Sequence, residues 1–164
     1  MKGKSIEERV KDYPDIRKEA QELYGSFKKI HSPALGGDIH FTSEGFNHLI
    51  YERARKERDK RTQILRFDML ERAKFILETS TTYQEYEESL RQIWKKKFKK
   101  MVQESALMHY WGFVAIINNF RIKVIARQIG NGGKHFWSVI PAWTTSYYRD
   151  IKLLSQSTGN LEEN

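Results

Sequence analysis

The chain contains no cysteine among its 164 residues. That excludes a disulfide scaffold, a thiol nucleophile and a thiolate-bound zinc, and it fits a reducing compartment. No apolar run approaches the roughly 18 residues that a membrane-spanning helix needs. Met1 to Val10 is charged and lacks the apolar stretch of a secretory signal. A cytoplasmic location is therefore expected, with no membrane partner. Proline is scarce, at 3 residues, and each stands at a boundary: Pro14 in a first helical turn, Pro33 in a break, Pro141 at a strand end.

The most informative absence is of one sign of charge. From Ser105 to Tyr148 there is no Asp or Glu, while Arg121, Lys123, Arg127 and Lys134 stand among nine aromatic residues. A solvated surface normally mixes both signs. The whole chain carries a net charge of +8 and a pI of about 9.6. A basic balance favours polyanions through phosphate contacts and counterion release.

What is present reads as one α+β domain, with N-terminal helices packed on a C-terminal antiparallel sheet of three to four strands. Residues 1–38 read as a helical extension, 39–141 as the core and 142–164 as a tail. Asp12 and Pro14 open a helix carrying Ile16, Ala20, Leu23, Tyr24 and Phe27 at helical spacing. His31 to Asp38 breaks it. A second helix begins at Thr42 or Ser43 and carries Phe46, Leu49 and Ile50. A third bears the stripe Leu65, Met69, Leu70, Ala73, Ile76 and Leu77. Thr82 and Glu85 have the spacing of a capping box and predict a short helix. Leu90 to Val102 fits helix or strand, and we read Lys95 to Gln103 as a strand because long Lys-rich strands suit a sheet edge.

The C-terminal half is more definite. Asn118 and Asn119 tolerate positive φ and predict a two-residue hairpin turn. Ile117 then pairs with Phe120, Ala115 with Ile122, Phe113 with Val124 and Trp111 with Ala126 on the core face. Val114 pairs with Lys123 and Tyr110 with Arg127 on the other, open face. Gly130 to Gly133 turns into a third strand, His135 to Ile140. A four-residue loop puts Phe136 and Ser138 beside Arg127. A loop one residue shorter or longer puts His135 and Trp137 there instead. His135 and Ser138 thus compete for one place.

Two segments near the C-terminus, Arg121-Ile-Lys-Val-Ile-Ala-Arg127 and Lys134-His-Phe-Trp-Ser-Val-Ile-Pro141, frame the Gly-rich turn. Upstream stand His40-Phe-Thr-Ser-Glu-Gly-Phe-Asn-His48 and Leu70-Glu-Arg-Ala-Lys-Phe-Ile-Leu77. In this order they resemble phage-type nucleases of the barnase–EndoU–colicin–RelE group over residues 40 to 141. The resemblance implies a metal-independent endoribonuclease of toxin, phage or mobile-element type. It implies RNA as substrate and an acidic antitoxin or immunity protein as a further partner. It also implies a helix-borne histidine, a basic residue on the sheet and a polar residue on a later strand around one cleft. Here those are His48, Arg127, and Ser138 or His135, with Tyr110 beside Arg127.

The residue types suit that chemistry. Histidine titrates near neutrality and serves as base or acid. Arginine stays charged and holds phosphate through a fork of donors. Lys95, Lys96, Lys97, Lys99 and Lys100, with no acid among them, read as a phosphate track, joined by Lys123 and Lys134. Arg53 to Arg61 is a second basic stretch, but it includes acids. Trp137, Trp143, Tyr147 and Tyr148 are candidates for base stacking. His40 and His48 do not form a metal-ligand spacing, so no metal is expected, and no motif calls for a small-molecule cofactor. The alternative reading is a non-catalytic RNA-binding module of a mobile element.

Overall fold

A computed structural model of the chain describes residues 3–52, 55–144 and 162, with backbone alone for 142–144. In chain order the elements are α1 (Ile6–Lys11), α2 (Tyr13–Phe27), β1 (Lys29–Ser32), β2 (Gly37–His40), α3 (Ser43–Ile50), α4 (Lys60–Phe67) and α5 (Leu70–Thr79), then β3 (Glu85–Lys97), β4 (Lys100–Ile117), β5 (Phe120–Ile129) and β6 (Lys134–Thr144). The fold is α+β, but the sheet is larger than expected and mixed. Six strands run in the order β1-β2-β6-β5-β4-β3, and β2 pairs parallel to β6. No helix among the described residues is long and apolar enough to cross a membrane.

The reading of His31 to Asp38 as a simple break missed β1 and β2, a tight antiparallel hairpin turned at Gly36 (φ 62°). Such four-residue strands give too few positions for alternation to show. The expected third helix divides into α4 and α5 at Asp68 and Met69, and Leu65 points to solvent. The capping-box spacing of Thr82 and Glu85 starts no helix, because Glu85 opens β3. Lys95 to Gln103 is not one strand but the tip of a hairpin. Phe98 and Lys99 sit at φ 48° and 64° in its turn.

The β4–β5 pairing is as the two asparagines dictate. Asn118 and Asn119 adopt φ 51° and 65°, Ile117 opposes Phe120, and Tyr110 opposes Arg127. The β5–β6 pairing contains what the sequence left open. Arg127 opposes His135 and Ala126 opposes Phe136, but Ile125 opposes Ser138. Trp137 is the extra residue of a bulge, which shifts the strand's side-chain parity by one. His135 and Ser138 therefore face the same side as Arg127, and both alternatives are partly right.

One face of the sheet packs on the helices. Phe113, Ile122, Val124, Ala126, Phe136 and Val139 meet Tyr24, Phe46, Leu49, Ile64, Leu70 and Leu77 in a single buried cluster. Tyr13, Ala20, Tyr24 and Ile30 belong to it, so residues of the first 38 contribute to the same core. Each fully buried aliphatic or aromatic side chain contributes about 1.5–3 kcal/mol. The other face, expected from the sequence to be open, instead carries a second small core of Met108, Tyr110 and Ile125. Arg121, Lys123 and Arg127 are buried there. The acids missing from their own segment come from elsewhere in the chain. Glu85 of β3 pairs with Lys123 at 2.7 Å, and Glu44 of α3 pairs with Arg127 at 2.6 Å.

Candidate functional site

The site begins with the way α3 meets β6. β2 pairs with β6 only at Lys134 and His135. Beyond that the edge of β6 is taken by α3, whose Gly45 lies directly on the Phe136 carbonyl. A helix along a sheet edge presents side chains to both faces. Phe46, Leu49 and Ile50 go to the main core. Glu44, Asn47 and His48 go to the other side, where they line a cavity of about 610 Å³ with Tyr51, Arg127 and Trp137. Glu44 and His48 are four residues apart, one turn of helix, and so neighbours on its surface.

Arg127 organises the floor. Its Nε donates to His135 Nε2 at 2.8 Å, and its Nη2 donates to Glu44 Oε2 at 2.6 Å. The guanidinium carbon lies 3.6 Å from the centre of the Trp137 ring. The His48 imidazole stacks on the same indole, with centroids 4.0 Å apart and planes 18° apart. Two groups that close to one centroid would overlap on a single face, so Trp137 lies between them. The Trp137 indole N–H donates to the Glu162 carbonyl at 3.3 Å.

Behind Arg127, the Tyr110 hydroxyl is buried and has no partner at full hydrogen-bonding geometry. Burial raises its pKa, Glu162 adds to that, and the nearby Arg127 charge opposes both. Burial, and after it the Arg127 charge, pushes the His135 pKa down to about 4 from 6.5, against the opposing effects of Glu44 and the Gly133 backbone; His40 adds a small lowering. His135 is therefore neutral near pH 7, as its acceptor role toward Arg127 requires. Its geometry suits holding the guanidinium rather than passing a proton. The linkage has a definite sign. A group whose folded pKa is depressed contributes stability above its unfolded pKa and loses it as pH falls. Between pH 6.5 and 4 the unfolded chain takes up the proton first, and about 3 kcal/mol is expected to be lost. His135→Gln keeps an acceptor but cannot titrate. Urea melts at pH 7.5 and 4.5 should show a smaller drop in that variant than in the wild type, and equal drops would contradict it.

Ser138 stands apart from the cleft. It is fully buried, and Arg66 Nη1 donates to its Oγ at 2.8 Å. Arg66 is itself buried, and burial together with the Arg58 charge lowers its pKa to about 9. Arg58 Nε donates to the His48 carbonyl at 3.3 Å, so this basic pair underlies the end of α3. Arg55 and Glu52 complete the lining of the cleft.

The basic residues are dispersed. Lys95, Lys96, Lys97, Lys99 and Lys100 are exposed at the β3–β4 tip, where Lys97 pairs with Glu104. Lys123 is buried on Glu85, and Lys134 is half-buried with its ammonium 5.8 Å from the Trp111 ring centre. Arg53, Tyr147, Tyr148 and the side chain of Trp143 lie outside the described residues. Among the described residues no cluster of three or more His, Asp or Glu side chains could hold a metal. Glu44 is the site residue that sequence reasoning missed. The available signal was its i, i+4 spacing to His48 in the first turn of a short helix.

No curated protein and no solved structure matches the chain. A family model described as large polyvalent protein-associated domain 3 matches residues 11–136, which span α2 to β6 and include every residue of the cleft floor except Trp137. The chain belongs to the family of large polyvalent protein-associated domain 3.

Proposed function

We propose that the cleft cuts RNA without a metal ion, in the manner of the barnase–EndoU–colicin–RelE nucleases, and acts in the cytoplasm. One observation carries the reading. Glu44 and His48, one helical turn apart, line one cleft with a guanidinium fixed from three sides, Glu44 bonded to that guanidinium and His48 across the Trp137 indole from it. Glu44 takes the proton from the ribose 2′-OH. The 2′-oxygen attacks phosphorus, and Arg127 stabilises the charge that gathers on the non-bridging oxygens. His48, as imidazolium, gives its proton to the departing 5′-oxygen. The products are a 2′,3′-cyclic phosphate and a 5′-hydroxyl. His135 and Tyr110 position Arg127, and Ser138 supports the framework through Arg66.

The expected effect of Glu44→Gln or His48→Ala is a fall in cleavage of about a hundredfold or more, in the range of a single acid–base group. Binding of the oligonucleotide should persist in both. Undiminished cleavage in both variants would remove the cleft from the chemistry. The second reading, RNA binding without cleavage, is favoured by the exposed lysines at the β3–β4 tip. It would prevail if the wild type binds RNA and leaves it whole.

A further inference from the structure

The β3–β4 hairpin extends well past the sheet. β5 pairs with β4 only from Met108 onward, so from Arg91 and Ala106 outward the two strands pair with each other alone. Seven residues on each side reach roughly 20 Å. An isolated two-stranded ribbon of this kind is marginal in water. Together with Leu90 at its base, it nevertheless carries the three most exposed large apolar side chains among the described residues, Phe98, Leu90 and Trp94. Leu90 is 67% exposed, Trp94 65%, Met101 60% and Phe98, at the turn, 98%.

The two faces of the ribbon differ. One carries the acid contacts, Lys97 to Glu104 and Arg91 to Glu162. The other presents Leu90, Trp94 and Lys96 opposite Leu107, Gln103 and Met101, with no carboxylate along it. Lysines alone on an edge would serve to keep the strand from pairing with another chain. An exposed Trp and Phe beside them defeat that purpose. Aromatic faces interleaved with ammonium groups are what stacks bases and tracks phosphates.

We infer that the hairpin Arg91–Ala106 is an arm that binds single-stranded RNA, Trp94 and Phe98 stacking on unpaired bases while Lys96, on the face of Trp94, and Lys99, at the turn, contact phosphates. It rests on the reading that RNA is the ligand of the cleft. An A-form duplex hides its base faces and has a major groove too narrow to admit side chains, so the arm takes unpaired strand.

Fluorescence anisotropy with fluorescein-labelled oligouridylate tests it. Trp94→Thr with Phe98→Asn keeps a strand former and a residue that tolerates positive φ, so the hairpin persists. Binding is expected to weaken by about tenfold or more, in line with the loss of base stacking. A duplex of the same length should bind more weakly than the single strand. In cleavage assays KM should rise while kcat at saturating RNA stays unchanged, whereas His48→Ala should lower kcat alone. Undiminished affinity of the double variant, equal affinity for the duplex, or no wild-type binding at low salt would each overturn the arm. A wild-type dimer that the double variant dissolves without changing RNA affinity would make the stripe a protein interface and also overturn it. A wild type that binds through the arm but cuts nothing would support the arm and end the cleavage proposal.

Discussion

Arg127→Lys is expected to lower RNA cleavage by about two to three orders of magnitude, the usual loss when one preorganised donor is removed from developing charge. The charge survives this substitution; the geometry does not. A guanidinium is planar and forked, so it can donate to His135 from Nε, donate to Glu44 from Nη2 and lie flat against Trp137 at once. An ammonium is a compact point charge without the fork that spans both acceptors or a flat face for Trp137, and the charged acceptor, Glu44, holds it. His135 Nε2 is then left as a buried acceptor without its donor, at about 1–3 kcal/mol. Cleavage should fall far more than stability does. A variant that cuts as well as the wild type would show that the guanidinium plane is incidental. One that simply fails to fold would be told apart by its circular dichroism, and Glu44→Gln, at a largely exposed side chain, then tests the same chemistry without touching the core.

Gly45→Ala should destabilise the protein by about 3 kcal/mol, the scale of overpacking a closed contact. Helix propensity alone predicts the opposite, a gain of about 1 kcal/mol for replacing glycine with alanine in a helix. The packing decides. A methyl group at Gly45 would sit inside contact distance of the Phe136 carbonyl and the Tyr24 hydroxyl. The carbonyl belongs to β6, which is paired to β5, and the hydroxyl donates to Thr42 O at 2.6 Å, so neither can yield cheaply. If α3 retreats instead, Glu44 and His48 leave the cleft and cleavage falls with stability. Gly25→Ala in α2 is the control. Nothing lies within 4 Å of a methyl there, and a gain of about 0.5–1 kcal/mol is expected. Equal thermal shifts for the two variants would contradict the edge packing of α3.

The sequence made the strong local signals legible. Asn118-Asn119 set the β4–β5 register because two adjacent residues that tolerate positive φ permit only one short turn. Thr42 at the start of an apolar periodicity marked α3, and the histidine at the end of that helix and the arginine on β5 do line one cavity. Other features depended on distant residues. The Trp137 bulge has no local signature, yet it decides which side His135 and Ser138 show. The acid-free stretch suggested an open basic face, but Glu44 and Glu85 are brought back by the fold from other segments. A single carboxylate in a helix first turn has a sufficient explanation in the helix dipole, so nothing local singles out Glu44. Its role in the cleft appears only once Arg127 is seen at 2.6 Å.

The most direct test of the central claim uses two oligonucleotides of one sequence in EDTA, one RNA and one carrying a single 2′-deoxy sugar at the cut position. The account predicts that the RNA is cut to a 2′,3′-cyclic phosphate end by the wild type and that the 2′-deoxy strand stays whole at that position. Cutting at the deoxy position, or an intact RNA after prolonged incubation with folded protein, would contradict it.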